Sequence, residues 1–192
     1  MVEMVEGLLQ NLHLLSQGTW RTRELLAKQL RLVAPYLPPQ CIRQNILPIL
    51  HKLMAESSFA VRKSSALALA TCFRHIPSLK ERKAAVRIFC LEWAYSDLCW
   101  KRMCFLYCAE AALQTYSSVL FRDLFADHLV PLAHDPISNI RVRLAASIPR
   151  FAPACHQTDF FRDVLAAIRE DSDLDVKAIV TGIGGRIQKE VN

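Results

Sequence analysis

Five short segments, each a polar or acidic link followed by a large apolar residue and then a base, recur along the chain at a spacing that only a repeating fold accommodates. They are Gly18-Thr19-Trp20-Arg21, Ser58-Phe59-Ala60-Val61-Arg62, Asp97-Leu98-Cys99-Trp100-Lys101, Ser138-Asn139-Ile140-Arg141 and Leu174-Asp175-Val176-Lys177. Their bases stand at 21, 62, 101, 141 and 177, in steps of 41, 39, 40 and 36. A supersecondary unit of ~40 residues cannot bury its apolar face alone, so such a chain folds by stacking one unit on the next.

Each link has helical sequence on both sides, with apolar residues at i, i+3, i+4 and i+7. Ile46, Leu47, Ile49, Leu50 and Leu53 precede one link; Ala66, Leu67, Leu69, Ala70 and Phe73 follow it. Leu124, Phe125, Leu129 and Leu132 precede another; Leu144, Ala145, Ile148 and Phe151 follow it. The unit is therefore helix, tight turn, helix. Prolines are expected at the outer boundaries: Pro35, Pro38 and Pro39, then Pro77, then Pro153. Pro48 and Pro131 fall inside first helices, early in each run, where they are expected to bend the helix. The expectation is one array over residues 1–192, with units at roughly 4–39, 40–80, 81–121, 122–158 and 159–192, open to further units at either end.

Composition agrees with helix: 52% of the 192 residues are hydrophobic and only 5 are Gly. The 7 Cys lie scattered in apolar stretches, which predicts reduced, buried thiols in a cytoplasmic or nuclear protein. The start is acidic where a signal peptide would be basic, and charges interrupt every apolar run well before ~18 residues, so no membrane span is expected.

A second regularity is an acid placed six residues before the base: Glu56 and Arg62, Asp135 and Arg141, Asp171 and Lys177. The acid is positioned to accept backbone N–H groups at the start of the second helix, and the base to reach the acid of a neighbouring unit. These six residues are predicted to form a structural ladder. The first and third units depart from the rule, with Leu15 and Tyr95 where the acid would stand.

A period of ~40 residues made of helical pairs is that of HEAT or armadillo repeats, and the expected fold is an all-α right-handed solenoid of about five HEAT-like pairs. Within that class, Asp135-Pro136-Ile137-Ser138-Asn139-Ile140-Arg141 resembles the Asp-Pro-x-x-Asn-Val-Arg turn of the protein phosphatase 2A scaffold subunit and its relatives. Gly18-Thr19-Trp20-Arg21 is similar to the Trp-Arg unit of the same group, and Ile46-Leu47-Pro48-Ile49-Leu50 to its first-helix pattern. The order of these units around Trp100-Lys101-Arg102-Met103-Cys104-Phe105 resembles the regulatory subunits of serine/threonine protein phosphatase 4. The resemblance implies a non-catalytic scaffold or regulator whose turns grip a phosphatase catalytic subunit. It implies no cofactor and no hydrolase of its own.

Trp20 and Trp100 occupy equivalent turns beside Arg21 and beside Lys101 and Arg102. An aromatic flanked by a cation is what interface hot spots are made of; the competing expectation is that each indole covers the top of its own helical pair. Trp20, Arg21, Trp100, Lys101, Arg102 and Arg143 are the predicted partner contacts. Cys99, Cys104 and Cys108 form the best candidate metal cluster, but no second ligand pair lies at usable spacing. No catalytic or nucleotide-binding motif occurs, and Gly182-Ile183-Gly184-Gly185 is expected to end the last helix. Two other classes stay open. A tubulin-binding HEAT module of the TOG type suits the tryptophan in the first turn and the net charge of +6. A HEAT-like DNA glycosylase or nucleic-acid binder would use Trp20, Trp93 and Trp100, but the bases recur at turns along an edge, which disfavours a DNA groove.

Overall fold

The computed structural model describes the backbone of residues 17–155 and 157–191 and the side chains of residues 17–155 and 157–182. The described residues are helical and contain no strand, and the fold class is an α-solenoid built of helical pairs. The chain divides into two compact units, Met1–Ala85 and Val86–Asn192.

The first unit holds α1 (Trp20–Val33), α2 and α3 (Phe59–Arg74). Thr19 starts α1 by accepting the Thr22 N–H on its side chain at 3.3 Å, and Leu26, Ala27 and Leu30 form its buried stripe. α2 is broken: a helical turn at Pro39–Cys41, a π-turn at Ile42–Ile46, then Leu47–Met54. Pro48 is the second residue of the α-helical segment that follows the π-turn, so the break in regular helix lies just ahead of it. α3 packs against both α1 and α2, and its small residues Ser65, Ala66, Ala68 and Ala70 let the flanking helices approach closely.

α4 (Leu79–Ala94) carries the boundary between the units, and its last turns open the second, which continues with α5 (Cys99–Ala112), α6, α7 (Ser138–Cys155), α8 (Asp159–Arg169) and α9 (Leu174–Val191). α6 repeats the build of α2, with Ser118–Phe121, a π-turn at Arg122–Ala126 and Asp127–Leu129. Here Pro131 does not lie early in the run; it heads a closing 3-10 turn, Pro131–His134, where its missing N–H costs nothing. A column of phenylalanines fills this unit's core. Phe89 faces Phe105 at 6.4 Å, Phe105 faces Phe125 at 6.2 Å, and Phe121 stacks on Phe125 at 5.4 Å and on Phe151 at 5.7 Å.

First and second helices differ in how they are buried. α8 hides one stripe, Phe161, Val164 and Ile168, as a helix with one solvent face does. α5 is buried almost all round, from Arg102 to Ala112, because helices flank it on more than one side. Two boundary expectations fail. Pro153 lies inside α7, together with Pro149, rather than between units. The glycines from Gly182 to Gly185 do not stop α9, which runs to Val191 with no residue at positive φ, the conformation a glycine helix cap requires. The acidic start and the side chains of the polar stretch at residues 186–190 lie outside the described residues.

Candidate functional site

At the turn edge of each unit an arginine folds back onto the turn that precedes its helix. In the first unit Arg23 donates to the Gly18 carbonyl at 2.5 Å and meets Glu56 at 3.0 Å, while Arg62 donates to the carbonyls of Glu56 and Ser57 at 2.8 and 2.6 Å. Arg82, entering α4, does the same to Ile76. In the second unit Arg102 donates from Nη1 to the carbonyls of Ser96 and Asp97, and from Nε and Nη2 to both oxygens of Asp135 at 2.5 and 2.8 Å. Arg141 repeats the pattern, with Nη1 on the Asp135 carbonyl at 2.6 Å and a fork on Asp171 at 2.6 and 3.1 Å.

Arg23, Arg102 and Arg141 thus join one turn to the acid of the next, whereas Arg62, expected to reach a neighbouring acid, and Arg82 bond the carbonyls of their own turns, and Asp135 and Asp171 in turn order their own loops. Asp135 Oδ1 accepts the Ile137 N–H at 2.9 Å and Asp171 Oδ1 the Asp173 N–H at 2.8 Å. Both acids are buried. The Arg141 fork holds the Asp171 carboxyl below its ordinary range, and the hydrogen bonds to Asp171 and to Asp135 raise the guanidinium values of Arg141 and Arg102 respectively. Lys177 sits within electrostatic reach of Asp171 but on the exposed surface. An open pocket of about 500 Å³, lined among others by His134, Pro136 and Glu170, borders the Arg141 rung.

The partner-contact residues expected from sequence separate into three environments. Trp20 is 40% exposed with the Arg21 guanidinium 4.4 Å above its ring, an open aromatic–cation pair at the first turn. Trp100 is half-buried, standing edge-on to Trp93 at 5.9 Å, and Lys101 lies 5.2 Å from the Trp93 ring while bonding Glu92 at 2.9 Å. Arg102 is buried within its rung, so its guanidinium is spent inside the chain. Arg143 is not in a turn at all. It lies on the body of α7 and joins a cluster around buried Glu110 of α5, which also accepts from Ser147 and, at 2.7 Å, from Arg150.

Residues absent from the predicted partner contacts complete the turn edge. At or just before the start of these second helices stands a large, apolar, exposed side chain: Phe59 in the first unit, and Leu98, Ile137 and Leu174 in the second. They recur at 39-, 39- and 37-residue steps, a signal present in the sequence beside the basic one. The thiols behave as a core set: Cys72 and Cys90 are pushed up to about 12 by burial and Cys108 well above its ordinary value, while Cys99 alone among the seven free cysteines is exposed. Among the described residues no group of three or more His, Cys, Asp or Glu side chains is placed to hold a metal ion. No described helix is long and apolar enough to cross a membrane.

No family model matches the chain. It is 22% identical over 169 residues, 84% of its length, to serine/threonine-protein phosphatase 4 regulatory subunit 4 of Mus musculus, and 22% identical over 132 residues, 68% of its length, to the Homo sapiens protein of that name. The aligned parts cover 19% and 15% of those relatives, so the chain spans about a fifth of their length. With its solenoid of helical pairs, the chain resembles regulatory subunits of a protein phosphatase.

Proposed function

We propose that the chain is a non-catalytic scaffold or regulatory element that binds a serine/threonine protein phosphatase catalytic subunit, of the protein phosphatase 4 or 2A kind, through the turns within its HEAT-like pairs. The observation that carries this reading is the state of the turn edge. The rungs consume the buried charges of the turns, while Trp20 with Arg21, Phe59, Leu98, Trp100 with Lys101, Ile137 and Leu174 are left at the surface around them. Half-exposed aromatic and aliphatic side chains beside cations are the composition of an interface core. The rungs fix the backbone of each turn, so these contacts are presented without an ordering cost on binding. Such an element acts by holding enzyme and substrate at raised effective concentration.

Affinity purification of the tagged chain tests it. Recovery of a phosphatase catalytic subunit, lost in Trp20→Ala with the helical circular dichroism unchanged, is the expected result. Recovery of tubulin in its place, or equal recovery by the variant, overturns the assignment.

A further inference from the structure

The helix faces of the second unit carry a charge arrangement that the turn edge does not need. Glu110 on α5 is buried, and both of its oxygens are occupied: one accepts from Arg143 and Ser147, the other from Arg150 at 2.7 Å. Two guanidiniums on one carboxylate leave a local excess of one positive charge. Arg143 lies with its guanidinium carbon 4.5 Å from the Tyr107 ring centre, which fixes its plane. Its Nε is buried and has no hydrogen-bond partner among the described residues. Among the described residues Arg150 is bonded through Nη1 alone, and its side chain is 62% exposed. A guanidinium has five N–H donors, so the exposed Arg150 keeps donors in reserve, held in place by the buried carboxylate beneath.

The surroundings suit an anion carried on a polypeptide. α7 holds three arginines and no acidic residue from Ser138 to Cys155. Its solvent-facing positions around Arg143 and Arg150 are Val142, Ala146, Pro149 and Pro153, which are short and apolar. A low apolar floor lets a main chain approach, and the paired cations select what it carries.

We propose that the Glu110–Arg143–Arg150 cluster is a docking site for an acidic segment of a partner protein, separate from the turn edge. Glu110 is the internal counter-ion that keeps two arginines converged in the unbound state, and the partner's carboxylate takes the donors that the exposed Arg150 has in reserve.

The test uses the whole chain and a short fluorescein-labelled poly-glutamate peptide, followed by fluorescence anisotropy. Binding is expected, weakening as salt is raised, and weakening roughly tenfold further in Arg150→Glu. Arg162→Glu changes the net charge equally at an exposed position on α8 and is expected to stay within about twofold of the unchanged chain. An equal loss in Arg150→Glu and Arg162→Glu, equal binding of a neutral poly-glutamine peptide, or tighter binding of duplex DNA would each overturn the proposal. Because Arg150 is exposed, its substitution leaves the core intact, and circular dichroism of the variants verifies that.

Discussion

The rungs at the turns and the cluster on the helix faces of the second unit are made from the same chemistry, arginine on a buried carboxylate, yet they are finished to different degrees. In the Arg102 rung all three guanidinium nitrogens are bonded, two to Asp135 and one to the turn carbonyls. In the Glu110 cluster the carboxylate is saturated, while Arg150, its side chain 62% exposed, gives one nitrogen to it. A saturated pair has nothing left to offer a partner and works as structure; an unsaturated one at the surface keeps its donors for an incoming anion. The same contrast separates Trp100, nested on Trp93, from the open Trp20 and Arg21 pair.

The largest expected effect follows from breaking a saturated rung. Asp135→Ala strands the Arg102 guanidinium in a site where its side chain is 9% exposed and also releases the Ile137 N–H. Removing one partner of a buried pair costs about 3–5 kcal/mol. Urea unfolding of Asp135→Ala should therefore show a loss of that order, and Arg102→Leu with Asp135→Leu together should lose less than the two single changes combined. A cost below about 1 kcal/mol for Asp135→Ala would make the rung ornamental and dissolve the contrast.

The Arg141 rung sharpens the comparison through pH. The Asp171 carboxyl is held below its ordinary value of 3.8, chiefly by the Arg141 hydrogen bonds. A depressed folded value stabilises the chain above the unfolded value and loses that contribution as pH falls through the folded one. The stability gap between the unmodified chain and Asp171→Asn, about 1–3 kcal/mol at neutral pH, should shrink steadily below pH ~4. A gap constant across the acid range would mean that charge plays no part in the rung.

How far these features were legible depends on whether they are local in the chain. The repeat and its helical pairs were, because stacking forces the same apolar spacing every ~40 residues. The acid six residues before Arg141 and Lys177 was visible for the same reason. The identity of the rung bases was not: Arg21 and Arg23, or Lys101 and Arg102, are near neighbours, and a period read to within a residue or two does not choose between them. The structure chooses Arg23 and Arg102 by their reach to the turn carbonyls, which no side-chain pattern records. Glu110 and Arg150 are 40 residues apart on different helices, so nothing in either segment announces the other. The glycines of α9 mislead because scarcity of helix propensity, about 1 kcal/mol each relative to alanine, does not by itself end a helix.

The two tryptophans give a smaller effect. Trp100→Ala exposes the Trp93 edge and removes a ring contact, so a loss of about 1–2 kcal/mol is expected in urea unfolding. Trp20→Ala, whose ring meets Arg21 of its own turn, should lose less. The order matters for any binding assay: a partner lost in Trp20→Ala is lost at the contact, whereas one lost in Trp100→Ala is lost together with some stability. Equal destabilisation by both would place Trp20 in the core.

The smallest expected effect lies in the cluster. Arg150→Ala removes a guanidinium whose side chain is 62% exposed, while Glu110 keeps Arg143 and Ser147 as donors. No buried charge is stranded, so urea unfolding should shift by no more than about 0.5 kcal/mol. Arg143→Ala is the informative partner to that measurement, since it uncovers Tyr107 and takes away the second cation. If Arg150→Ala cost as much as Asp135→Ala, the cluster would be a finished rung in another place, and its spare donors would have no role in recognition. A small cost leaves Arg150 held at the surface for something other than the fold.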